Sequence, residues 1–217
     1  MSATHHLQSL VAKDWHAATH HAFTNALADG TLSRARMAGY LQQDYQFIEG
    51  FVRLLASALA HAPSLADAVP GARFLGQICG AENTYFLRSF QALDVSQTAP
   101  PAPETTAFQQ LMDQARHSGR YEIMLSVLVV AEWIYLDWAT PFEGRADDLP
   151  FWLGEWISLH SGKDFSQVVA YLRDQLDLVW ETLDNDARAQ VTATFTQAVR
   201  LERAFFDASW AGFAVAK

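Results

Sequence analysis

The sequence predicts an all-α fold, a bundle of about seven or eight helices forming one domain over residues 1–217. Three observations carry this. Apolar residues recur three and four apart along nearly every segment, no stretch shows the period-two alternation of a strand, and short stop signals punctuate the chain. At 217 residues the chain can bury one sizeable core, and nothing in it forces a second domain.

The first helix is expected over about 5–28, where Leu7, Leu10, Val11, Trp15, Ala18, Phe23 and Leu27 share a face, with Asp29-Gly30 as a glycine stop. Ser33 is a natural N-cap for a second helix running from about 34 to about 61. Pro63-Ser64 restarts the chain into a helix of about 65–93, with Pro70 in its first full turn or kinking it. Asp94 to Pro103 carries three prolines and holds the chain extended. A helix of about 104–118 follows, ending near Ser118-Gly119. The next, about 120–141, is apolar on every side and should be central. Asp147-Asp148 are expected to cap a helix beginning near Pro150, and two more helices, about 164–183 and about 186–213, complete the bundle.

Composition narrows the function. Half the residues are hydrophobic and 12% aromatic, with seven Trp and fourteen Phe, which suits a filled core plus an aromatic-lined pocket or an oligomer interface. The net charge is −9, and the fifteen Lys and Arg are scattered, so nucleic acid is not an expected partner. The N-terminal stretch lacks a charged region followed by an apolar one, and no uninterrupted apolar run of about 18 residues occurs, so no membrane association is expected. One cysteine, Cys79, excludes an internal disulfide framework and fits a reducing, cytoplasmic setting. It lies on an apolar helix face without an adjacent His or Lys and reads as a small buried hydrophobe.

Acids on apolar faces are the chemical signal. Within YLQQDYQFIEGF, Asp44 shares its side of the helix with Tyr40, Leu41, Phe47, Ile48 and Phe51. An isolated carboxylate there is costly unless it is hydrogen-bonded, paired or protonated, so Asp44 requires a structural partner or a ligand. Glu82 lies beside Cys79, Tyr85 and Phe86, Glu132 beside Leu128, Val129, Tyr135 and Leu136, and Glu202 beside Val199, Phe205 and Phe206. Four inward acids on four helices are hard to accommodate unless they converge on a polar cavity. Individually, Glu82 reads as a structural ion pair with Arg53 or Arg88, Glu132 faces either a groove or the cavity, and Glu202 favours a functional role despite the charges of Arg203 and Asp207 beside it.

Five of eight histidines crowd the first helix; His16 and His20 are one turn apart, but no HExxH pattern accompanies them, and a solvated or packing role is expected. His160 ends the apolar WISLH segment and could hydrogen-bond a ligand or the helix terminus. Dinucleotide, P-loop and serine-hydrolase motifs are absent from the sequence.

Over nearly its whole length the chain resembles the TenA family, the thiaminase II-like proteins of thiamin salvage. The likeness is carried by DGTLS at 29–33, YLQQDYQFI at 40–48, AENTYFLRSFQAL at 81–93, AEWIYLDWA at 131–139, WISLHSGKDF at 156–165 and LERAFFDASW at 201–210. The resemblance implies a haem-oxygenase-like helical bundle. By position, Asp44 matches the family's pyrimidine-recognising aspartate, Glu202 its catalytic glutamate and Tyr135 a pocket tyrosine. The family's nucleophilic cysteine corresponds to Ala131, followed here by Glu132, and family tyrosines correspond to Phe47, Phe108 and His160. These departures resemble the cysteine-lacking TenA_E subgroup.

The resemblance therefore implies a cysteine-free hydrolase acting on 4-amino-5-aminomethyl-2-methylpyrimidine or its N-formyl derivative. Glu202 and Glu132 are the expected catalytic pair. Asp44 is expected to hold the aminopyrimidine edge, Tyr135, Phe47 and Trp133 to wall the ring, and His160 to give polar support. No cofactor or metal is implied, and a homodimer or homotetramer is expected. Two other readings stay open: a di-iron carboxylate protein using Glu82, Glu132, His160 and Glu202, although Tyr85 and Tyr135 stand where a Glu-x-x-His pair needs histidine, and a non-catalytic pyrimidine-binding regulator.

Overall fold

The first predicted helix is three: α1 (Ala3–Leu10), α2 (Ala12–Thr19) and α3 (Ala22–Ala28). The computed structural model describes residues 2–213, so the ends of the predicted domain, Met1 and 214–217, lie outside the described residues. Val11 leaves helical geometry between α1 and α2. At the second break His21 turns extended and caps α3, its Nδ1 accepting from the Phe23 N–H. Periodicity ran through both breaks because all three short helices turn apolar residues to the same core.

Beyond that point the stop signals hold. Gly30 ends α3 at φ +70°, and Ser33 caps α4 (Arg34–Ala60), its side chain accepting from the Arg36 N–H. Then α5 (Leu65–Gln77) continues through a π-helical turn (Ile78–Glu82) into α6 (Asn83–Leu93), with Pro70 in the second turn of α5. The extended stretch leads to α7 (Pro103–His117) and the core helix α8 (Tyr121–Ala139). A 3-10 segment (Thr140–Asp148) precedes α9 (Phe151–Leu159), α10 (Gly162–Trp180) and α11 (Asn185–Ala211). Asp147 and Asp148 close the 3-10 segment instead of capping α9, whose N-cap is Pro150 without a side-chain bond. With α1–α3 and the α5–π–α6 rod each taken as one stretch, eight helical stretches form the bundle, and no strand occurs among the described residues.

Helix α8 is central, packing against α2, α4, α7, α10 and α11. It is long and apolar enough to cross a membrane by length and composition, but 78% of its most apolar window is buried inside the protein. Two local devices position the site. Gln43, next to Asp44, anchors the proline-rich stretch: its Nε2 donates to the Pro100 carbonyl at 3.0 Å, and its Oε1 accepts from the Ala102 N–H at 2.8 Å and from Thr105 Oγ1 at 2.7 Å. Gly154 lets α9 lie directly on the 3-10 segment, since a Cβ there would stand 2.0 Å from the Ala146 carbonyl oxygen. That seating fixes Trp156, two residues further along α9, and His160 at its end.

Candidate active site

Helical spacing brings the four acids together. Asp44 from α4, Glu82 from the π-helical turn, Glu132 from α8 and Glu202 from α11 line one cavity of about 60 Å³, with Tyr135 and His160 beside them. Phe47, Ile48 and Phe51 extend the wall along α4 at the spacings that place them on the Asp44 face, and Phe108, Met112 and Trp156 complete it. By this measure the space holds about four waters, which suits one small ring. No Lys or Arg lines it.

A directed hydrogen-bond chain ends on Asp44. The Trp156 indole can only donate, and its Nε1–H reaches Tyr40 Oη at 3.1 Å. Tyr135 gives its single hydroxyl proton to Asp44 Oδ1 at 3.3 Å, so across its 2.8 Å contact with Tyr40 Oη it accepts and Tyr40 donates. All four side chains are buried. His160 is fixed differently: its Nδ1 lies 2.9 Å from the Trp156 carbonyl oxygen, which can only accept, so Nδ1 carries the proton and Nε2 is left as an acceptor. The Tyr135 ring packs against the imidazole at 4.8 Å.

The electrostatics follow from burial without a counter-ion. Desolvation raises the Asp44 carboxyl to about 7, with the Tyr135 and Tyr40 hydroxyls opposing the rise. Burial, then the charge of Asp44, raises Glu82 to about 8. Glu132 is pushed well above the usual carboxylate range by burial and by Glu82, Glu202 and Asp44, and Glu202 by burial and Asp44. His160 is lowered to about 4 by burial, so it is neutral at pH 7. Glu202, 5% exposed, makes no hydrogen bond among the described residues. Such a cavity holds protons on some carboxyls and leaves others as bases, which is the division of labour that acid–base catalysis needs. It also favours a ligand that brings hydrogen-bond donors or positive charge.

Several expectations need correction. Trp133 does not line the cavity: it follows Glu132 by about 100° around α8, and its ring packs 4.8 Å from Trp15 and 3.7 Å beneath the Arg173 guanidinium. Glu82 forms neither expected ion pair. Arg88 pairs with Glu155 and Arg53 with Glu49, leaving Glu82 to the cavity. Cys79 is exposed, not buried. Each residue of a π-helical turn advances by about 80° instead of 100°, so Cys79 no longer shares the face of Glu82. Ala131, at the position that the family resemblance gave to a thiol, is in the cavity wall. The solvated-face reading of His16 and His20 holds: both are exposed, their rings tilted against each other at 4.1 Å, and neither lines the cavity. Among the described residues no three His, Cys, Asp or Glu side chains are grouped closely enough to hold a metal ion.

Residues 9–212 match the family model described as TENA/THI-4/PQQC family. The "Aminopyrimidine aminohydrolase" of Halalkalibacterium halodurans is 24% identical over 202 residues, covering 90% of this chain and 90% of that protein. Among solved structures, a TenA homologue protein from P. horikoshii OT3 matches with a TM-score of 0.84 at 19% identity, covering 98% of this chain and 100% of that one. A domain of unknown function with a heme oxygenase-like fold from Shewanella denitrificans OS217 matches with a TM-score of 0.69 at 15% identity, covering 97% and 93%. The fold is thus of the TenA, haem-oxygenase-like kind.

Proposed function

The chain belongs to the TENA/THI-4/PQQC family, and from that premise we propose that it is a hydrolase of thiamin-pyrimidine salvage, releasing ammonia from 4-amino-5-aminomethyl-2-methylpyrimidine, or formate from its N-formyl derivative, without a thiol nucleophile. The observation that carries this reading is the convergence of Asp44, Glu132 and Glu202 on one small aromatic-walled cavity. Similarity to a protein named as an aminopyrimidine aminohydrolase supports it.

An aminopyrimidine edge offers a donor, the amino group, beside an acceptor, the ring nitrogen. A carboxyl group that titrates near 7 matches both, accepting on one oxygen and sharing a proton from the other. Asp44 is that group, and Tyr135 holds its orientation. Phe47 and Tyr135 wall the ring, and His160, neutral, offers Nε2 as an acceptor. In the aminohydrolase step water adds to the exocyclic methylene carbon as its C–N bond breaks and the electron pair leaves with nitrogen. Glu202 takes the proton from the attacking water and passes it to the departing ammonia. Glu132 orients the water or the exocyclic amine. The products are the hydroxymethylpyrimidine and ammonium, so atoms and charge balance for a protonated amine plus water. On the N-formyl substrate the same carboxyls serve attack of water at the formyl carbon, giving formate and the amine.

Turnover by wild type and Glu202→Gln tests the assignment. A fall of about 10²-fold or more in kcat is expected for loss of a general acid–base; equal rates would remove Glu202 from the mechanism.

A further inference from the structure

Glu82 has no role in the steps above, yet its position is distinctive. An outer cleft of about 340 Å³ lies between the π-helical turn and the α9–α10 junction, lined by Gln77, Ala81, Ser158, Ser161 and Lys163 among others. Of the residues lining the inner cavity, Glu82 alone also lines this cleft. It stands in the wall between the two, with no ion pair or hydrogen bond among the described residues, while Arg53 and Arg88 are held by Glu49 and Glu155. Two further groups point to a ligand here. Glu202 is buried and unpartnered in the inner cavity, and Ser161 Oγ is buried without a partner beside the outer cleft.

We propose that Glu82 is the residue that selects for charge: its carboxylate receives the protonated side-chain amine of the substrate at the doorway of the cavity and discriminates it from the uncharged N-acylated counterpart. This rests on the hydrolase reading for the identity of the substrate, not for the charge preference itself. The physical reason is the missing counter-ion. Four carboxyls share the inner cavity with no Lys or Arg, and Lys163, which lines the outer cleft together with Asp164, forms no ion pair with Glu82 among the described residues, so ionising Glu82 beside its neighbours is unfavourable until a cation arrives. An alkylammonium supplies that charge, whereas a formamide does not.

The test compares wild type, Glu82→Gln and Glu82→Asp on the aminomethylpyrimidine and its N-formyl derivative, with calorimetric binding of the amine and of its neutral hydroxymethyl counterpart measured on the same proteins. Losing one partner of a buried charge pair predicts a fall of about 30-fold in kcat/KM for the amine in Glu82→Gln, with the formamide changed less than about 3-fold. Glu82→Asp, which keeps the charge, should retain most of the amine preference. Equal losses on both substrates, or none on either, would overturn the proposal. If wild type turns over neither substrate but binds the amine over the alcohol in a Glu82-dependent way, the charge selection stands and the hydrolase reading falls. If wild type and Glu82→Gln bind the two ligands with the same preference, the proposal falls whatever the turnover.

Discussion

Asp44 and Glu82 keep protons at pH values where ordinary carboxyls have lost them, and this ties the chemistry of the site to the stability of the fold. Their folded-state values, about 7 and about 8, lie above those of an unfolded chain. The native state therefore binds more protons through that interval, and stability falls as pH rises through it. His160 acts with the opposite sign, but only between about 4 and 6.5, where its folded value is depressed. Above pH 6.5 the acids alone remain. We predict that the melting temperature of wild type declines from pH 6.5 to 8 and that Glu82→Gln melts higher at pH 8 with a shallower decline; an unchanged slope would mean that Glu82 is not protonated in the native state. Asp44 and Glu202 were legible in the sequence because each is an acid set among apolar neighbours at helical spacing. Glu82 was misread because the pairing of Arg88 with Glu155 joins residues 67 apart in sequence. Trp133 was misread because adjacency to Glu132 is not adjacency on a helix face.

At the scale of elements, the seating of α9 is the contact that the site depends on. Trp156 starts the hydrogen-bond chain that ends on Asp44, and the Trp156 carbonyl fixes His160, so any shift of α9 disturbs both. Gly154→Ala would press a methyl group against the backbone oxygen of Ala146. Overpacking against backbone predicts a loss of about 1–3 kcal/mol in chemical denaturation, with a fall in turnover beyond what the remaining folded fraction explains. Stability and turnover equal to wild type would show that α9 is free to move. The sequence displayed the helices and most of their stops, since Gly30, Ser33 and Pro103 act through local backbone chemistry. It did not display the breaks at Val11 and His20-His21 or the π-helical turn, because these change the backbone without interrupting the apolar pattern.

The whole molecule places four acids from four helical stretches around one small cavity, one of them, Glu132, on the predominantly apolar central helix α8. Ala131, on that helix, leaves the cavity without a thiol. Restoring one by Ala131→Cys should give a poorly acidic thiol, because surrounding carboxyls oppose a thiolate; its alkylation by a small reagent should need pH above about 9, and rapid reaction at pH 7 would contradict the electrostatics described. The bundle was readable from periodicity alone, whereas the convergence of its acids depended on long-range packing that only the structure gives. The central claim is that these carboxyls perform hydrolysis without a cysteine. The most direct measurement is an ammonia- and product-resolved assay on the aminomethylpyrimidine, its N-formyl derivative and thiamin, side by side with one purified preparation. Release of ammonia or formate with thiamin left intact is the predicted result; cleavage of thiamin at a comparable rate, or inertness toward all three, would contradict it.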